Sequence, residues 1–182
     1  MNKGKQTLHL SSGLIGRHLV GTLALCAALA NSLGLTSEQI ESGISQTLPF
    51  EHRMQPRPLG GGWIIDDTYN GNLEGVRAGL QLLAELSAKR KTYVTPGLVD
   101  QGAESRKIHI ELGSLIANVK PDKVVLMKNS VTSWIEKGLY DSLFKGDVTI
   151  IDEPLEYYKN IDHVMAAGDI VMMQNDWTDN YN

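Results

Sequence analysis

The chain has 182 residues, a formal net charge of -4, 42% apolar and 21% charged side chains. That composition fits a folded globular domain, excludes a fibrous or disordered chain, and leaves no cationic face of the kind that grips nucleic acid. With no run of the roughly eighteen apolar residues a membrane span needs, no signal-peptide core at the start, and a lone Cys26 without an internal disulfide partner, it reads as a cytoplasmic domain, alone or with a piece of a neighbour.

In chain order, the leucine- and alanine-rich run over residues 19–33 predicts a helix apolar around much of its circumference, and therefore a buried one. Gly34 ends it, and Thr36-Ser37-Glu38-Gln39 offers a capping box for a second helix to about Ser45. Residues 48–62 carry Pro49, Pro56, Pro58 and Gly60-Gly61-Gly62 and read as a connection, with the domain boundary there: 1–47 before it, 48–182 after. From there strands at 63–66, 92–95, 123–127, 148–151 and 170–174 alternate with helices at 73–86, 104–119, 130–137 and 154–167. Such alternation predicts an α/β, Rossmann-like fold: a mostly parallel sheet with helices on both faces, preceded by a short helical segment. The continuous apolar runs Val124-Val125-Leu126-Met127 and Ile170-Val171-Met172-Met173 suit strands buried on both sides. Ligands belong at the carboxyl ends of such strands, where Asp66, Asp67, Thr95, Lys128, Asn175 and Asp176 fall.

Two readings of the acids after the first strand of this unit stand side by side. A strand-end carboxylate can accept hydrogen bonds from both hydroxyls of a ribose, or it can cap a turn or the following helix. Asn70 and Asn72 add amide groups nearby, and Tyr69 adds a flat face and a hydroxyl. The tail around Asn175, Asp176, Trp177 and Asp179 reads either as a wall for an ammonium group or as a solvated tail packed by Trp177. A lone histidine such as His18 is commonly a structural hydrogen-bonder. His109 and Glu111 are expected on a solvated helical face, and Met127, Met165, Met172 and Met173 as core filler. A receiver-like signalling module could use Asp66-Asp67, Thr95 and Lys128, but the strands end in Thr95-Pro96 and Met127-Lys128 rather than in a phosphorylatable aspartate.

The run Asp66-Asp67-Thr68-Tyr69-Asn70-Gly71-Asn72 resembles the Asp-x-Tyr-Asn-x-Asn-Pro signature of the Mur ligase family, in the form that adds D-alanyl-D-alanine, with Leu73 in place of the proline. Glu51-His52-Arg53-Met54-Gln55 is similar to the family's arginine motif. Gly16-Arg17-His18-Leu19-Val20-Gly21-Thr22 resembles the Gly-x-His-Asn-Val-x-Asn segment that ends its central ATPase domain, with Leu19 and Thr22 replacing the two asparagines. Residues 93–102, Tyr93 to Gly102, resemble the glycine-containing loop after the next strand.

The resemblance implies that Arg53 contacts the ribose or phosphates of ATP, that Asp67 holds the ribose, that Tyr69 and Asn70 lie beside the nucleotide, and that His18 and Thr22 lie near the adenine. It implies that this domain helps bind the incoming amine, for which Asn72, Asn175 and Asp176 are the candidates here if the tail is a wall rather than solvated, and it implies no catalytic residue and no metal ligand in this chain. No Gly-x-x-Gly-Lys-Thr phosphate loop occurs. The resemblance puts that loop, with the Mg2+ ligands, in the central domain upstream, and so reads the chain as the end of that domain (1–47) followed by the carboxyl-terminal domain (48–182). The implied whole is an ATP-dependent amide-forming ligase of peptidoglycan synthesis joining a UDP-MurNAc-peptide to D-alanyl-D-alanine, inactive as this piece alone and without an obligate protein partner. A lipid II amidotransferase ligase subunit and a folylpolyglutamate synthase share the architecture and differ in acceptor.

Overall fold

In the computed structural model, which describes residues 7–174, the strands are β1 (Gln55–Leu59), β2 (Gly62–Asp67), β3 (Arg90–Thr95), β4 (Lys123–Met127), β5 (Asp147–Ile151) and β6 (Asp169–Gln174). They form one sheet in the order β1-β2-β6-β3-β4-β5. Only β1 and β2 pair antiparallel; the other neighbours are parallel. The helices are α1 (Val20–Ser32), α2 (Ser37–Ser45), α3 (Leu73–Glu85), α4 (Ser105–Val119), α5 (Thr132–Asp141), α6 (Pro154–Lys159) and α7 (Ile161–Val164). The α/β, mostly parallel sheet expected from the alternation is the one found.

Residues alternate between the two faces of each strand. Ile65, Tyr93, Val124, Leu126 and Met172 face α3, α4 and α5, where Leu80, Leu83, Leu112, Ile116 and Ile135 meet them. Ile64, Val94, Val125, Met127, Val171 and Met173 face the other way, covered by Ile161, Met165 and Tyr157. β6 lies between β2 and β3, and all six of its residues are buried. The methionines of β4, β6 and residue 165 are core, as expected.

Three expectations need correction. Residues 48–62 are not only a connection, because β1 lies within them as an edge strand. Pro56 stands opposite Ile65 and Pro58 opposite Trp63. On an edge strand alternate N–H groups point away from the sheet, so two prolines spaced by two forfeit no ladder bond. Gly60 and Gly61, with φ of 58° and 79°, then make the two-residue turn with positive φ at both positions that hairpins favour.

The α1 helix is present but not buried. Of its residues only Ala27 is buried, while Val20, Leu25 and Leu29 are exposed. It meets α2 along one strip, Ala27 against Ile40 and Ile44, and α2 is too narrow to cover a helix that is apolar all round. The capping box at Thr36 forms as read, with Gln39 N–H donating to Thr36 Oγ1 and Thr36 N–H to Gln39 Oε1.

The helix predicted over 154–167 breaks at Asn160 into α6 and α7. There the Asn160 amide bonds back to the carbonyl of Glu156 at 2.9 Å, the local competition with which asparagine interrupts helices.

Candidate functional site

The two acids ending β2 point to opposite faces and have different fates. Asp66 is 1% exposed. Its carboxylate accepts from Arg57 Nη2 at 2.8 Å, His52 Nδ1 at 3.0 Å and Thr68 Oγ1 at 2.7 Å. With its acceptor sites so occupied, Asp66 holds the hairpin to the loop after β2. Asp67 is half-buried on the α3 side, accepting from Met54 N–H at 3.1 Å through Oδ1 and from Gln174 Nε2 at 2.9 Å through Oδ2.

Residues 52–54 turn sharply, with His52 at φ 59° and Met54 at φ 44°, a conformation non-glycine residues adopt where neighbouring contacts enforce it. The turn sets Arg53 beside the loop after β2. Its Nη1 donates to Asn70 O at 3.0 Å and its guanidinium lies 4.5 Å from the centre of the Tyr69 ring, a cation-π stack that holds the fork in place.

Arg53, Asp67, Asn70 and Asn72 line one cleft of about 290 Å³, together with His18 from the amino-terminal segment and Gln174 at the end of β6. Leu14, Pro49, Phe50, Val76 and Leu98 give it apolar walls. It opens where β6 is inserted between β2 and β3, the break in strand order at which open α/β sheets bind ligands. His18 is placed by its own turn: Gly16 has φ 100°, and a Cβ there would overlap the imidazole.

Other expected residues lie elsewhere or do other work. Thr22 is exposed on α1 and is absent from the cleft lining, and Tyr69 meets the cleft only through Arg53. Asn72 is the N-cap of α3, its side-chain oxygen accepting from Gly75 N–H at 2.8 Å, a cap read beforehand only for the acids Asp66 and Asp67. Asn175 and Asp176 lie outside the described residues. Thr95 is buried and accepts from Gly97 N–H, and Lys128 is paired with Asp152.

The expectation of a solvated face for His109 and Glu111 is corrected. His109 is fully buried. Its Nδ1 donates to Ser105 O at 2.6 Å and its Nε2 accepts from Leu98 N–H at 3.0 Å, which fixes the neutral tautomer. Burial lowers its pKa from the ordinary 6.5 against the opposing pull of those backbone contacts. The ring thereby sets the loop that carries Leu98 to the cleft wall. Glu111 is half-buried in an ion pair with Arg77.

Gln174, Met54, Leu14, Phe50 and Leu98 were not singled out by sequence reasoning. For Gln174 a signal existed, since it is a polar residue closing a strand buried along its whole length, as Asp67 closes β2.

The family model described as Mur ligase, glutamate ligase domain, matches residues 52–174. Among curated proteins, the UDP-N-acetylmuramoyl-tripeptide--D-alanyl-D-alanine ligase of Escherichia coli is 31% identical over 113 residues, which are 62% of this chain and 25% of that protein. The protein of the same name from Mycobacterium leprae is 29% identical over 179 residues, 89% of this chain and 35% of that protein. The chain thus spans about a quarter to a third of the length of these relatives. Among solved structures, the MurF ligase from Thermotoga maritima in complex with ADP has a TM-score of 0.73 at 22% identity, over 92% of this chain and 36% of that chain. A folylpolyglutamate synthase from the same organism reaches 0.56 at 17% identity, over 91% of this chain and 38% of that chain. At those identities the structural likeness is one of fold.

Proposed function

The chain belongs to the Mur ligase family through its glutamate ligase domain, and on that premise we propose that it is the part of an ATP-dependent amide-bond-forming ligase that closes over the nucleotide. The observation that carries this reading is convergence. Arg53, Asp67 and Asn70, from two turns on either side of the β1–β2 hairpin, meet His18 on one cleft. Asp67 offers two carboxylate oxygens to a ribose diol, Arg53 offers a guanidinium suited to phosphate oxygens, and Leu14, Phe50 and Leu98 offer apolar area to a base. About 290 Å³ sits at the lower limit of small-molecule sites, roughly 300–1,000 Å³, enough for the nucleoside half of ATP and not for the whole.

In the intact enzyme ATP supplies the phosphoryl group that activates a carboxylate toward an incoming amine. The work of these residues is to orient the nucleotide and to exclude water on closure. Among the described residues no three His, Cys, Asp or Glu side chains converge on a point that could hold an ion. In this proposal the Mg2+ implied by the chemistry is held by the preceding domain together with the ATP phosphates.

The acceptor in this proposal is a UDP-MurNAc-peptide and the amine D-alanyl-D-alanine, on the strength of relatives that carry those words in their names. Residues 1–47 would be the end of the preceding ATPase domain, supported by the separate small core joining α1 to α2 and by a family match that begins at residue 52. The reaction is placed in the cytoplasm, where ATP and UDP-linked precursors are made; no helix among the described residues is long and apolar enough to cross a membrane.

The test is an NMR titration of the 182-residue chain with ADP, with Arg53→Ala and Asp67→Ala beside it. Millimolar affinity is expected, with shifts confined to the cleft and a loss of about tenfold in each variant, one hydrogen bond to a charged group being worth at least that. ADP-induced shifts unaffected by either substitution would refute the placement.

A further inference from the structure

Behind Asp67 stands a buried side chain whose hydrogen bonds all serve to hold it. The Gln174 amide nitrogen donates at 2.9 Å to Asp67 Oδ2 and at 3.0 Å to the carbonyl of Gly75, while Tyr93 Oη donates at 3.1 Å to Gln174 Oε1. A carboxylate and a backbone carbonyl can only accept, so the amide has one possible orientation and the phenol one possible direction for its proton. Tyr93 is fully buried, and burial first, then the charge of Asp67, keeps its hydroxyl protonated far beyond the ordinary range of a phenol.

The space for this arrangement comes from α3. A Cβ at Gly79 would overlap the Gln174 carboxamide. On its other oxygen Asp67 is tied to Met54 N–H, so the carboxylate plane is pinned from both sides while the group still lines the cleft. Accepting one hydrogen bond from each hydroxyl of a vicinal diol requires the carboxylate plane to be turned so that both oxygens face the diol at once. A carboxylate free to rotate accepts one hydroxyl as readily as two.

We propose that Gln174, itself oriented by Tyr93, is a positioning residue that fixes Asp67 for bidentate acceptance of a ribose diol and so sets a preference for ribonucleotides over 2′-deoxyribonucleotides. The inference rests on the nucleotide reading above and adds to it the residues that confer sugar selectivity.

The experiment compares ADP with 2′-deoxy-ADP by NMR titration of the 182-residue chain, in the wild type and in Gln174→Leu, Tyr93→Phe and Asp67→Asn. Dispersed spectra and thermal unfolding report that each variant is folded. Tyr93→Phe removes one oxygen and nothing else, and stands as the test if Gln174→Leu does not fold. The wild type is expected to favour ADP by about tenfold, the worth of one hydrogen bond to a charged group. In Gln174→Leu and Tyr93→Phe that ratio should collapse to within about twofold, which a loss of packing alone would not produce. If Asp67→Asn loses the preference while both other variants keep it, the inference is overturned and the nucleotide reading stands. If Asp67→Asn keeps affinity and preference, or ADP leaves the wild-type spectrum unchanged at millimolar concentration, the nucleotide reading itself falls and takes the inference with it.

Discussion

A substitution of Gly79 by alanine sets two effects of opposite sign against each other. Gly79 lies inside α3 with ordinary helical backbone, where alanine gains about 1 kcal/mol over glycine in helix propensity. The new methyl, however, would occupy the place of the Gln174 carboxamide. The amide cannot step aside without giving up its bond to the Asp67 carboxylate, worth about 1.5–3 kcal/mol, and its bond to the Gly75 carbonyl, about 0.5–1.5 kcal/mol. Gly79→Ala should therefore destabilise the chain by about 1–3 kcal/mol net, read as a lower urea midpoint with unchanged slope. In a Gln174→Ala background the obstacle is gone and the same substitution should stabilise by about 1 kcal/mol. Such a reversal of sign is a coupling between neighbours that independent sites do not show. If Gly79→Ala raises the urea midpoint in the otherwise unaltered chain, the carboxamide is not held as described.

The neighbouring acids should separate cleanly: Asp66→Ala strands Arg57 and His52 and lowers stability by about 2 kcal/mol, whereas Asp67→Ala should cost less stability and more ADP affinity, both read by denaturation and titration on the same samples. Because the pKa of native His109 lies below 6.5, the unfolded chain binds a proton there that the native state refuses. Its contribution is full above pH 6.5 and declines as the pH falls below that value; His109→Gln should flatten this part of a stability-against-pH curve. Thr36→Ala removes the capping box and should cost about 1 kcal/mol, with the loss confined to amide-exchange protection in α2.

Continuous apolar strands were legible because their boundaries are chemical. β4 begins after Pro121-Asp122 and stops at Met127, before Lys128, and the predicted and observed limits coincide. β1 was not, since prolines 56 and 58 break any strand except an edge one, and being an edge is a property of the sheet rather than of the segment. The burial of α1 was misjudged for a related reason: apolar content states a need for cover without naming what provides it. His109 carried a signal that went unread. Residues 109, 112, 113, 116 and 117 recur at helical spacing, and all five are buried.

Within the site, the family resemblance placed Arg53, Asp67, Asn70 and His18, which the structure gathers into one cleft. It could not supply Gln174, which reaches Asp67 only because a strand distant in sequence is inserted beside β2.

That insertion also bears on how the chain is made. β6 pairs Ile170 with Trp63 on one side and Asp169 with Arg90 on the other, joining halves that have no direct ladder between them. On a ribosome, the hairpin of β1 and β2 and the three strands β3, β4 and β5 must wait with bare apolar flanks until β6 emerges to bridge them. Long-range closure of this kind is slow, and the waiting halves are open to mispairing. A nascent chain stalled before residue 169 would carry most of the apolar residues of the domain and no keystone.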